Sequence, residues 1–204
     1  DGAIPARLFV RYCREDGLIP EGTSDEKWVK DHVMSSTMTL TDCMGLFAIL
    51  TDILDSKERL EETAFELLKD MYESGSRLVE LRFSPQSHQN PNLSMEEAVE
   101  AVLRGRERVL NLYPDMVCGF LLCMMNLGLD LGTVDNNIKT VELAAKYKGK
   151  GVVGIDLAGD ECATPIESYE PQFELARELG VNYTIHAGES GPASNVAFAI
   201  SQNG

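Results

Sequence analysis

Four short apolar runs recur along the chain, at 78–83, 117–124, 152–157 and 181–186. Each is rich in Val, Ile, Leu or Phe and nearly continuous, the pattern of strands buried on both faces of a parallel sheet. Between them apolar positions follow a helical period. The stretch 94–112 opens on Ser94 and Glu97, the spacing of a capping box, and carries Met95, Val99, Val102 and Val109 along one stripe. Val134, Ile138, Val141 and Ala145 mark a second helix, and 171–179 a third that ends at Gly180. Ahead of the first strand the chain reads as helical over 7–15, about 41–54 and 58–74, with Gly75 as terminator.

Strand and helix alternating at this spacing predict βαβ units. A doubly wound sheet and a TIM-type (β/α) barrel both fit the alternation. No strand is followed by the Gly-x-Gly-x-x-Gly that cradles phosphate, which weakens the nucleotide-binding form of the first. Polar residues gather instead at the carboxyl ends of the strands: Ser84 and Pro85, Asn126, Asp156 to Glu161, and His186 to Glu189. In a barrel that face is the active site, so the expected fold is an α/β barrel of the TIM type. Four strands cannot close a barrel, which takes eight and typically about 250 residues. The 204 residues are therefore expected to form about half of one. No linker, repeat or low-complexity tract divides the chain, so 1–204 reads as a single domain.

Composition narrows the function. A formal net charge of -15 repels phosphate backbones and anionic lipid, which argues against nucleic-acid and membrane partners. It favours a small neutral or cationic substrate. No apolar run reaches transmembrane length, the longest being the strand-sized 116–125. The five cysteines (Cys13, Cys43, Cys118, Cys123, Cys162) are scattered, with no Cys-x-x-Cys, and read as reduced core thiols of a cytoplasmic protein. The chain opens on Asp1-Gly2-Ala3-Ile4-Pro5 without an initiator methionine, so processing or truncation is expected.

Candidate chemistry sits at the strand ends. In Tyr183-Thr184-Ile185-His186-Ala187-Gly188-Glu189, a histidine closes a buried strand and a glutamate stands three residues later on a Gly turn. Imidazole is a good zinc ligand, and a partly desolvated glutamate can hold a proton for general acid work. A backbone-bonded histidine with a solvated glutamate beyond it is the plainer alternative. Gly154-Ile155-Asp156-Leu157-Ala158-Gly159-Asp160-Glu161 offers close backbone approach to a flat ligand with carboxylates beside it, or else an acidic βα loop without function. Glu80 and Arg82 share a face of the first strand and read as a buried, mutually paired scaffold. His32 and His88 read as exposed or locally bonded rather than as ligands.

Taken together these segments resemble the adenosine deaminase family of zinc amidohydrolases. His186-Ala187-Gly188-Glu189 is similar to its His-Ala-Gly-Glu, and Asp156 to Glu161 to its Asp-Leu-Ala-Gly-Asp-Glu. Glu80 to Pro85 is similar to its Glu, Val or Ile, Arg, Tyr or Phe, Ser or Ala, Pro. The stretch 93–105 resembles the bacterial members, and Asp1 to Ile4 resembles the segment just after the family's first metal motif, His-x-His-Leu. The resemblance covers the whole chain, with the motifs in order.

It implies hydrolysis of adenosine, and of 2′-deoxyadenosine, to inosine and ammonia in purine salvage. His186 is implied as a histidine ligand of a single Zn2+, which lowers the pKa of a bound water for attack on C6. Glu189 is implied as the proton donor to purine N1, the Gly159 N–H as a bond to N3, and Asp1 as a contact to the ribose 5′-hydroxyl. The helix around Leu40, Cys43, Met44 and Phe47 resembles the family's hydrophobic lid. Of the groups expected on zinc, His186 alone is in this chain, the other ligands lying outside it. Oligomeric state is not legible, a monomer being compatible. Two other readings remain: a deaminase of a related 6-aminopurine nucleoside, and a deaminase-like module without catalysis.

Overall fold

The structure is a computed structural model that describes residues 2–32 and 40–202, the side chains of 40–46 and of 131 lying outside that description. Four helices lead: α1 (Ala6–Glu15), α2 (Asp25–His32), α3 (Leu40–Ile53) and α4 (Lys57–Glu73). Strand and helix then alternate through β1 (Leu78–Phe83), α5 (Met95–Leu112), β2 (Val117–Asn126), α6 (Leu131–Tyr147), β3 (Val152–Gly159), α7 (Glu170–Glu178), β4 (Tyr183–Ile185) and α8 (Ala193–Gln202). The strands form one parallel sheet in the order β1-β2-β3-β4. This is the expected α/β architecture, a partial barrel of the TIM type.

Local chemistry sets the element ends. Ser94 Oγ accepts from the Glu97 N–H at 3.2 Å while Glu97 Oε2 accepts from the Ser94 N–H at 2.9 Å, the reciprocal cap its spacing predicts. Asp130 caps α6 with its side chain, taking the Thr133 N–H at 3.0 Å. Beyond Val117, every residue of β2 is buried, because helices and neighbouring strands cover both of its faces. The core runs from Leu8, Phe9 and Tyr12 of α1 through Leu68, Val99, Leu122 and Ile155 to Phe173 of α7.

Three expectations are corrected. Helices α2 and α8 have no counterpart among the expected elements: α2 buries little besides Trp28, and α8 starts in a Gly-Pro-Ala stretch that reads as loop. The fourth strand is shorter than 181–186. Val181 is taken by the end of α7, its N–H bonding Ala176 O at 2.8 Å. The Glu80–Arg82 pair is neither buried nor mutual: β1 buries Val79 and Phe83 and exposes both charges on the opposite face. There Arg82 reaches across β2 to Asp156, at 3.0 Å.

A buried asparagine holds the β2 end in place. Asn137 of α6 accepts from the Met125 N–H at 2.8 Å and donates to Met125 O at 3.0 Å. It also accepts from Gln86 Nε2 at 2.8 Å, which ties in the turn after β1. A fully buried amide bonded in this way rigidifies the strand ends that carry the site.

Candidate active site

Most of the predicted site residues converge at the carboxyl ends of β3 and β4. A cavity of about 540 Å³ is lined there by Gly159, His186 and Glu189 together. Phe47, Met125 and Leu127 give it apolar walls, while Ser84, Ser87 and Thr51 add hydroxyls. Size and lining suit a small flat ligand with an apolar face and a few fixed polar contacts. Of the proposed lid, Phe47 stands at this cavity; the side chains of Leu40, Cys43 and Met44, and all of Asp1, lie outside the described residues.

His186 is oriented by its neighbours. Its Nδ1 is 2.9 Å from Asp156 Oδ2 and 3.1 Å from Leu157 O. Both partners are acceptors, so Nδ1 carries the proton and leaves the lone pair on Nε2. Asp156 holds the imidazole pKa above its ordinary value, with burial opposing it. Arg82 Nη1 stands 3.5 Å from Nε2. A carboxylate behind a histidine is the arrangement that fixes ring and tautomer for metal ligation.

The three carboxylates of 156–161 go to different partners. Asp156 is fully buried under Arg82, His186 and Thr184, whose Oγ1 donates to it at 2.9 Å. Asp160 Oδ1 accepts from the Cys162 N–H at 2.9 Å. Glu161 turns away to the loop after β4, where it accepts from backbone amides. Gly159 presents backbone to the cavity. Its φ is +108°, and a Cβ there would stand 2.8 Å from Asn126 O, so the close packing of the β2 and β3 ends demands glycine. Asn126 in turn is anchored by Tyr169 Oη at 2.9 Å and by its bond to Thr164 O at 3.0 Å.

The remaining histidines stand apart from this chemistry. His32 is exposed, stacks on Trp28 and bonds Trp28 O at 2.9 Å. His88 is buried rather than exposed; burial pushes its pKa down to about 4, against backbone bonds to Thr51 and Leu54. Cys13, Cys118, Cys123 and Cys162 are free thiols, and Cys43 lies among the residues whose side chains are not described. Among the described residues no helix is long and apolar enough to cross a membrane.

The motifs that meet at this cavity are matched by a family: the adenosine deaminase family model covers residues 1–204. The chain belongs to the adenosine deaminase family. It is 31% identical over 202 residues to an adenosine deaminase of Clostridium perfringens, a match covering 98% of this chain and 59% of that one. The chain thus spans about 59% of the length of that curated relative. Among solved structures, the N6-mAMP deaminase of Arabidopsis superposes with a TM-score of 0.81 at 20% identity, over 98% of this chain and 60% of that one. An amidohydrolase of Burkholderia ambifaria, crystallised with bound Zn, gives 0.79 at 19% identity, over 98% and 53%. At these identities the superpositions establish the shared barrel fold.

Against a zinc ion, the residues of this chain fit one position. His186 lines the cavity and its tautomer is fixed at Nδ1, which leaves Nε2 suited to a ligand role. Among the described residues no group of three or more His, Cys, Asp or Glu side chains could hold a metal. One imidazole does not hold a catalytic zinc, so the donors described here make a single corner of such a site.

Two residues of the site escape a reading of the sequence. Arg82 reads along β1 as a partner of Glu80, and its true partner lies two strands away. Glu161 reads as one acid among three, and nothing local marks it as the anchor of a loop 27–30 residues downstream.

Proposed function

We propose that the protein carrying this chain hydrolyses adenosine, and 2′-deoxyadenosine, to inosine and ammonia with a zinc-activated water. The observation that carries this reading is the cavity bounded jointly by His186, Glu189 and Gly159. An imidazole, a carboxyl and a backbone edge converging on one small pocket are the groups that a flat aminopurine needs. In this reading 1–204 is one domain of that barrel, and the remaining zinc donors come from chain outside these residues.

Zinc, when bound, supplies a nucleophilic water near neutral pH. The residues of this chain do the rest. His186 holds the metal through Nε2, its ring fixed by Asp156. Glu189 donates a proton to purine N1, which draws electron density from C6 and prepares it for water. The Gly159 N–H bonds N3 of the same ring, and Asp1 bonds the ribose 5′-hydroxyl. Phe47, Met125 and Leu127 keep bulk water from the purine face. The attacking water brings C6 its oxygen and gives up two protons, one leaving with the 6-amino group as ammonia and one restoring Glu189, so that inosine keeps the proton on N1. The acidic net charge favours a neutral nucleoside over a phosphorylated one. Reduced thiols and the small-molecule substrate fit a cytoplasmic salvage enzyme.

The test is incubation of the intact protein with zinc and adenosine, following inosine in the ultraviolet, with N6-methyl-AMP and adenine in parallel. Turnover of adenosine well above the other two supports the reading. Preference for N6-methyl-AMP or adenine moves the protein to a related deaminase, and zinc-loaded protein that turns over none of them rejects the deaminase reading.

A further inference from the structure

Glu189 sits on the loop between β4 and α8, outside any strand or helix. That loop is held by a carboxylate from elsewhere. Glu161 Oε2 accepts from the backbone N–H of Glu189 at 2.9 Å, of Ser190 at 3.0 Å and of Gly191 at 2.9 Å. Its Oε1 accepts from the Gly188 N–H at 2.6 Å and from Asn195 Nδ2 at 2.9 Å. Four successive amides converging on one point form a nest of the sort that binds anions, and here the protein's own carboxylate fills it. Glu161 is 8% exposed, so these charge-assisted bonds act in a largely dry setting.

The nest is closely packed: a Cβ on Gly191 would stand 2.6 Å from Asn195 Nδ2 and 2.7 Å from both Cδ and Oε1 of Glu161. Burial raises the carboxyl pKa, yet the bonds from Gly188, Ser190, Asn195 and Gly191 outweigh it and hold the group down at about 2. The anchor also has a particular origin. Glu161 lies two residues beyond Gly159, so the nest ties the loop that carries Gly159 to the loop that carries Glu189. Under the reading above, those two contact N3 and N1 of one rigid ring, and such a pair of contacts works only at a fixed separation.

We propose that Glu161 is the positioning residue for Glu189, fixing its carboxyl relative to the Gly159 N–H without touching substrate. The proposal rests on the acid role of Glu189. Two neighbouring effects are separable from it. The His186 ring is held by Asp156 and Leu157, not by Glu161, so metal binding is expected to survive loss of the nest. Substrate contacts other than Glu189 are likewise left in place.

The experiment uses the intact zinc-loaded protein and the variants Glu161→Gln, Glu189→Gln and their combination. Gln keeps the shape but presents an N–H2 to the backbone amides of the nest. Expected for Glu161→Gln is a kcat loss on the order of 10²-fold with KM changed only a few-fold. Zinc content should stay unchanged, and amide deuterium exchange should quicken at 188–191. In the Glu189→Gln background the same change should cost almost nothing further, because the two residues act as a unit. Unchanged kcat, zinc lost in step with activity, or a full multiplicative loss in the double variant would each overturn the proposal. Should Glu161→Gln fail to fold, Gly191→Ala presses on the same carboxylate and on its partner Asn195, and is expected to lower kcat in the same direction with zinc content unchanged. If the intact protein deaminates none of the three purines, the reading of function falls, and unaltered exchange at 188–191 in Glu161→Gln independently overturns the nest.

Discussion

The Oδ2 of fully buried Asp156 lies 2.9 Å from Nδ1 of His186. A carboxylate in this place sets the tautomer and raises the basicity of the opposite nitrogen. Asp156→Asn removes the charge and keeps the shape. In the intact protein, zinc affinity is expected to fall on the order of 10- to 100-fold, measured by chelator competition. Unaltered affinity would mean that the carboxylate serves Arg82 and Thr184 rather than the imidazole.

Glu189→Gln tests the acid directly. Gln cannot give a proton to N1, so kcat should drop by roughly 10² to 10⁴ while the circular dichroism spectrum and melting temperature hold. A fully active variant refutes the role.

Gly159→Ala combines an unfavourable φ of +108° with a Cβ 2.8 Å from Asn126 O. The strain should destabilise the fold by about 1–3 kcal/mol, read by urea unfolding. It should also raise KM, because the N–H assigned to purine N3 moves with the strand end. Wild-type stability would show that the β2 and β3 ends are looser than their packing implies.

His88 provides a pH signature. Its imidazole has an ordinary pKa of 6.5 in the unfolded chain but is pushed down to about 4 by burial in the folded one. Between these values the unfolded state binds more protons, so unfolding free energy rises with pH across that window. The stability is complete above about pH 6.5 and is lost as pH falls toward 4, by at most about 3 kcal/mol. His88→Gln should flatten the 4–6.5 part of the pH–stability curve relative to wild type. Parallel curves for the two proteins would exclude a buried neutral imidazole.

Much of the fold is legible in the chain because its signals are local. A nearly continuous apolar run declares β2 wherever it sits, and Ser94 with Glu97 caps α5 through groups three residues apart. His186 and Glu189 stand out for the same reason, being neighbours on one turn. Helix α8 is not legible because its stripe is weak and comes after Gly191 and Pro192, which read as loop. The apolar run overstates β4 because periodicity does not say which neighbour a backbone N–H will choose, and that of Val181 bonds α7.

What the sequence by itself determined is the alternation of strand and helix, the polar strand ends and the motif set that places the chain in its family. These depend on period and composition, which short stretches carry whole. What the tertiary structure decided is pairing: Arg82 with Asp156 rather than Glu80, and Glu161 with the amides of 188–191 rather than with a ligand. A buried charge must find a partner, but the rule names no partner. Only parallel register, which sets β1, β2 and β3 side by side and brings the β3 and β4 loops together, settles which one is within reach.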